Sequence, residues 1–231
     1  MKLILIKFLI FLMSIFKIPF LILRDVLKFF IIYIPGGLGN RLRYIYYKNI
    51  FKKCGKNVVI DTGVLIDGAE HISVGDNVHI DKYCILATSK KIIGNIKLKQ
   101  NHNFNGEQGE IIIGSNIHLA HFSMLIGYGG IEIGDNVAFS AAVKVFSHTN
   151  LTNDFNNPSK IISIMPHKQG PVLSSAVVIK KNVWLGLNTI VMPGITIGCN
   201  SFSTSNSFLM KDFEENSYIS GQPAKKIRNR F

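Results

Sequence analysis

Cysteine is scarce: Cys54, Cys84 and Cys199 are the only three in 231 residues, and they lie far apart. They form neither a CxxC pair nor an even framework, which excludes a disulfide-stapled scaffold and a zinc knuckle and fits reduced thiols in a cytosol. Acid is scarce as well, with 14 Asp and Glu against 26 Lys and Arg, for a formal charge of +12. The excess sits at one end, since residues 1–53 hold ten basic residues and one acid, whereas residues 54–231 hold sixteen and thirteen. That balance in the body argues against nucleic acid as a partner, because a nucleic-acid reader carries its basic surface on the folded domain. Also missing is any run of 18 uncharged apolar residues near the start, where Lys7, Lys17, Arg24, Asp25 and Lys28 break up the sequence. A transmembrane span is therefore not expected. The first alanine is Ala69, so no A-x-A-like site follows the apolar segment and a cleavable secretion signal is not expected either.

On a helix of about 100° per residue, Lys2, Lys7, Ser14, Lys17, Arg24, Asp25 and Lys28 share one arc, leaving Leu, Ile and Phe on the rest. This is an interfacial amphipathic pattern, with Pro19 kinking or splitting it. Arg41, Arg43, Lys48, Lys52 and Lys53 follow, interleaved with Tyr44, Tyr46 and Tyr47, and suit anionic lipid headgroups. Residues 1–53 are expected to form an amphipathic helical, membrane-associating segment. Packing of this segment on its own domain or oligomer, or a true single span, are the competing readings.

After residue 55 a period of six takes over. Aliphatic residues recur at Val74, Ile80, Leu86 and Ile92, then Ile113, Leu119 and Leu125, then Ile133, Phe139 and Val145. The last and longest series runs Ile179, Leu185, Val191 and Ile197, continuing through Ser203 to Leu209. A small or aliphatic residue stands two positions before each, as at Val78, Cys84, Ser123, Val143, Thr189, Ser201 and Ser207. Each hexad supplies a short strand and a turn, so three hexads make one triangular coil with two inward positions per side. Gly75, Gly114, Gly134 and Gly198, each just after an inward aliphatic, fit close backbone turns. The phase breaks from Ile92 to Ile113 and from Val145 to Ile179, where polar insertions must leave the coil as loops. A shorter break at Gly127, Tyr128, Gly129 and Gly130 adds a bend.

IGDNV at 133–137, NVWLG at 182–186, VMPGITIG at 191–198 and GQPAKKIR at 221–228 resemble the hexapeptide-repeat acyltransferases. The resemblance covers residues 54–231 and implies a mainly β fold, a left-handed parallel β-helix solenoid. It further implies a homotrimer and acetyl-CoA as co-substrate, with no metal expected.

Acyl transfer from a thioester to a hydroxyl needs a base near half-neutral at cytosolic pH. His148 stands three residues after the inward Val145, at a coil corner and the mouth of the long insertion. The resemblance puts the family's catalytic histidine at this same place. Of the other histidines, His79 and His118 read as surface residues, His71 and His102 as turn residues and His167 as a loop residue. Without a nucleophile elbow, direct attack in a ternary complex is the simplest mechanism, with Ser147 or a backbone carbonyl orienting the ring and a backbone N–H stabilising the oxyanion.

For the donor, the resemblance implies pantetheine contacts at Gly186 and Leu187 and, one coil later, at Ser205, with Lys211, Lys225 and Arg228 meeting CoA phosphates. Trp184 reads as packing at a coil corner. For the acceptor, the galactoside and maltose acetyltransferases read A-N-F-N where this chain has Leu119, Ala120, His121 and Phe122, so a sugar-binding asparagine is missing at Ala120. His121 and Asn150 are the candidate acceptor contacts.

The resemblance of the N-terminus to enzymes that decorate bacterial surface polysaccharide implies a lipid-linked or nucleotide-linked sugar acceptor. It also implies a peripheral cytoplasmic position at the inner face of the cell membrane. N-acetylation of an amino sugar, a γ-carbonic-anhydrase-like trimeric metalloenzyme using His118 and His121, and an inactive membrane scaffold are the alternatives.

Overall fold

A computed structural model describes residues 22–91, 96–151 and 171–231. Lys2, Lys7, Ser14, Lys17, Pro19, Ile92 and His167 lie outside the described residues.

The hexads become strands of two or three residues that stack in parallel, coil on coil, as three faces of a prism. The first face runs Lys53–Cys54, Ile72–Val74, Ile111–Ile113, Ile131–Ile133, Val177–Ile179 and Thr196–Ile197. The second runs Val59–Ile60, Val78–Ile80, Ile117–Leu119, Ala138–Phe139, Trp184–Leu185 and Phe202–Ser203, and ends in the antiparallel hairpin Ser217–Gly221/Ala224–Asn229. The third runs Leu65–Asp67, Ile85–Ala87, Met124–Ile126, Lys144–Phe146, Ile190–Val191 and Phe208–Leu209. Side chains alternate across a strand, so each three-residue strand sends one or two groups inward. The inward aliphatics from Val74 to Leu209 are buried in one continuous core. Burial of each such side chain is worth about 1.5–3 kcal/mol. Towards the C-terminal end the inward hydroxyls satisfy one another: Thr189 Oγ1 lies 3.0 Å from Ser203 Oγ, and Ser207 Oγ donates to Thr204 O.

At the corner between the first and second faces, the turn is made by asparagine rather than by the glycines. Asn77, Asn116, Asn136, Asn182 and Asn200 all have φ between 55° and 60°, a left-handed conformation that asparagine tolerates better than other side-chain-bearing residues. Their amides form a ladder up the corner, each donating to the next at 2.9–3.2 Å. Gly75, Gly114, Gly134 and Gly198 serve another purpose, close approach of coils. A Cβ on Gly134 would stand 2.8 Å from Lys181 N, and one on Gly198 2.3 Å from Glu215 N.

Both long insertions leave at the corner between the third and first faces. They are more than loops: Ile96–Leu98 from the first pairs in parallel with Val172–Ser174 from the second, which pairs antiparallel with His148–Asn150.

Among the described residues, two helices precede the coils: α1, residues 22–33, and α2, Gly36–Lys48. Arg43 on α2 is fully buried. Its guanidinium donates to the carbonyls of Ile31 and Ile34 at the end of α1, to Ile60 O on the second face and to Asn40 Oδ1. It therefore clamps α1 to the coil stack. Lys52 pairs with the buried carboxylate of Glu110. Of the cationic stretch expected to meet lipid, Arg43 is thus committed inward and Lys52, though exposed, is paired with Glu110, while Arg41, Lys48 and Lys53 are exposed. On α1 the pattern is the reverse. Lys28 lies 4.0 Å from Asp67 of the coil, Ile32 is buried, and Leu23, Val26, Leu27, Phe29, Phe30 and Tyr33 are exposed. Among the described residues no helix is long and apolar enough to cross a membrane.

Candidate active site

His148 begins the insertion strand His148–Asn150 and lies opposite Ser174. The glycine bend positions its neighbour. Gly130 N–H closes on Gly127 O, and Tyr128 between them meets the His148 ring edge-on at 4.8 Å between centroids. The imidazole is half-buried, and burial pushes its pKa below the ordinary value. Its Nδ1 is withdrawn from solvent and, among the described residues, receives no hydrogen bond. Nε2 is then the nitrogen left to meet an acceptor. The residue beside it has a different task. Ser147 is fully buried, its hydroxyl donates to Ile126 O and accepts from Gly129 N, and it makes no hydrogen bond to the imidazole. The expectation that Ser147 orients the base is corrected: its hydroxyl fixes the glycine bend, because strand alternation turns it inward when His148 turns outward. Asn150 is exposed two residues along the same strand, on the face that His148 uses.

Gly186, Leu187 and Ser205 lie at a different corner, between the second and third faces. Gly186 N donates to Ser203 O, and Asn206 N to Leu187 O, which brings Leu187 and Ser205 side by side on adjacent coils with both exposed. A Cβ on Gly186 would stand 2.7 Å from Ser205 N, so only glycine allows this approach. Lys225 lies on the same edge, opposite Ser220 in the terminal hairpin. Lys211 lies apart, its ammonium 5.9 Å from the Phe213 ring centroid. Arg228 is at the far end of the hairpin, its guanidinium 4.2 Å from the Tyr218 ring centroid. The six donor residues are thus not one cluster within a single chain.

Trp184 is not at a corner. It stands on the outer second face, half exposed, with its indole N–H on Ser140 Oγ and its ring edge-on to Phe202, which in turn tilts against Tyr218. Sequence reasoning paired His118 with His121 only in the metalloenzyme alternative and missed their meeting with His79 and Asp81. His79 and His118 are direct cross-strand partners, and both, with His121, surround the buried carboxylate of Asp81 at 2.9–3.2 Å. The signal was present as H-x-D at 79–81 and in the coil offset that pairs position 79 with 118, but it is visible only once the first insertion is looped out.

No family model matches the chain. Over 182 residues it is 29% identical to the dTDP-4-amino-4,6-dideoxy-D-glucose acyltransferase of Escherichia coli, covering 78% of this chain and 83% of that protein. It is 30% identical to the putative lipopolysaccharide biosynthesis O-acetyl transferase WbbJ of Escherichia coli K12, covering 52% of this chain and 61% of that one. Among solved structures it matches the Bacillus cereus N-acyltransferase AntD, in complex with dTDP-4-amino-4,6-dideoxyglucose and coenzyme A. The TM-score is 0.64 and the identity 26%, over 82% of this chain and 89% of that one.

The fold is therefore a left-handed parallel β-helix of the acyltransferase type. With these relatives, the chain is similar in sequence and fold to sugar acyltransferases of the hexapeptide-repeat type, which supports an acyltransferase.

Proposed function

We propose that this protein is an acetyl-CoA-dependent sugar O-acetyltransferase acting on a bacterial surface polysaccharide precursor, with His148 as general base. The observation that carries it is the state of His148: half-buried, with its pKa lowered by desolvation, it is neutral at cytosolic pH and free to take a hydroxyl proton. As the acceptor oxygen attacks the thioester carbonyl, Nε2 receives its proton. The tetrahedral intermediate then collapses, expelling CoA thiolate, which is reprotonated. Acetyl-CoA as donor is supported by the coenzyme A in the AntD complex.

The working unit in this reading is a homotrimer. In one chain His148 lies at the corner between the third and first faces, while Gly186, Leu187 and Ser205 lie between the second and third. A donor arm held at one corner reaches the base at another only across a subunit boundary. Such a boundary would also supply an acceptor for Nδ1–H of the base tautomer. Asn150, beside His148, is the acceptor contact we favour.

A second reading, N-acetylation of a nucleotide-linked amino sugar, is favoured by the breadth of similarity to the dideoxyaminoglucose acyltransferases. The two are separated by supplying labelled acetyl-CoA with membrane glycan and, separately, with dTDP-4-amino-4,6-dideoxyglucose. Product released by hydroxylamine is an ester and supports O-transfer, whereas stable product on the amino sugar is an amide and overturns it.

The exposed apolar side chains of α1, with Arg41, Lys48 and Lys53 nearby in sequence, support peripheral attachment at the cytoplasmic face of an anionic membrane.

A further inference from the structure

The second face and its corner with the third, on coils preceding those of Gly186 and Ser205, carry three imidazoles converging on one carboxylate. Asp81 follows the inward Ile80 and is buried, with its two oxygens turned outward along the coil edge. His79 Nε2 lies 3.2 Å from Oδ1, and His118 Nε2 lies 3.0 Å and His121 Nδ1 2.9 Å from Oδ2. The ligand atoms of His79, Asp81 and His118 all lie within 4.8 Å of one another. The backbone holds this arrangement in place: His79 and His118 are in register on adjacent strands, and Phe122, stacked on Tyr83 of the coil below, anchors the turn that carries His121.

We infer that His79, Asp81 and His118 form a binding site for a tetrahedral divalent transition metal, zinc in the first instance, with His121 next to it on Asp81. Neutral imidazole and carboxylate are the donor set that zinc accepts. Two ligand atoms each about 2.0–2.1 Å from a tetrahedral ion stand roughly 3.3–3.4 Å apart. The nitrogen–oxygen separations of 3.2 Å for His79 and 3.0 Å for His118 lie within a few tenths of an ångström of that value. Three ligands from one chain leave a fourth position to be filled by His121 or by water. The ion would tie two successive coils to one corner of the prism, at a corner other than that of His148.

The test uses the full-length protein, purified without a histidine tag. Zinc content is measured after dialysis, and Co2+ is titrated in as a spectroscopic probe of geometry. One zinc per chain, the intense visible bands of tetrahedral Co2+ and a melting temperature that rises with zinc are expected. His79→Gln and His118→Gln should weaken binding by more than the roughly 10–100-fold that loss of a supporting outer-shell group costs. His148→Ala should keep the ion. Because Asp81→Asn removes a buried group and could fail to fold, the half-exposed His79 and His118 carry the decision, with circular dichroism confirming that each variant is folded. Co2+ bands of octahedral type, or folded His118→Gln protein binding zinc as tightly as wild type, overturns the site.

Discussion

A single imidazole carries the chemistry proposed for this protein, and its environment decides how it should behave. Desolvation lowers the His148 pKa, so the acidic limb of kcat/KM should bend below the ordinary histidine value of about 6.5; a limb centred above that value in a pH–rate profile would count against His148 as the base. The same shift affects stability. The unfolded chain binds the proton more readily than the folded one, so the contribution of His148 to stability is present above its unfolded pKa and is lost as pH falls through the folded value. His148→Ala should lower kcat by about 10² or more, with CoA affinity in a direct binding measurement little changed, since the donor residues sit at another corner. Ser147→Ala should act differently, lowering the melting temperature through loss of the hydroxyl that holds Gly129 N and Ile126 O.

At the scale of elements, two devices hold the molecule together, and both are open to mutation. The corner turns need left-handed residues, and the coils need close contact just before them. Gly134→Ala would put a Cβ 2.8 Å from Lys181 N and should destabilise the fold by about 1–3 kcal/mol, measured by denaturant unfolding. Arg43 holds the N-terminal helices by satisfying the carbonyls at the end of α1. Arg43→Ala leaves several of them buried without donors, each worth about 1–3 kcal/mol, and hydrogen exchange should then rise first in α1.

For the whole molecule, the acid end of the stability curve should depend on Glu110. Burial pushes its carboxyl pKa up, but the Lys52 and Lys90 ammonium groups and the Glu107 N–H outweigh that and hold it at about 2. Its folded pKa lies below its unfolded one, so its contribution is present above the unfolded value and is lost as pH falls towards 2. Glu110→Gln should flatten acid unfolding between about pH 4 and 2. At the membrane, wild-type protein should co-sediment with vesicles containing phosphatidylglycerol, and Phe29→Asp with Phe30→Asp should abolish this. Unchanged sedimentation of the double variant would leave the exposed face of α1 to a protein partner.

The six-residue period alone determined the solenoid, its inward positions and the points where insertions leave it, because each hexad repeats the same local choice of strand and turn and the core is the sum of those choices. The place of His148 at the mouth of the second insertion was legible for the same reason, three residues after the inward Val145. Only the tertiary structure decided the rest. Whether Arg43 faces lipid or the interior, and whether Lys52 is free or paired with Glu110, depends on which carbonyls and carboxylates the folded chain brings beside them. Ser147 and His148 are neighbours in sequence, yet strand alternation and the glycine bend give them opposite tasks. The separation of Arg228 and Lys211 from the Gly186 corner, and the meeting of His79, Asp81, His118 and His121, depend on how many residues each coil consumes. That count is set by which segments loop out, and it becomes visible only when the strands are paired.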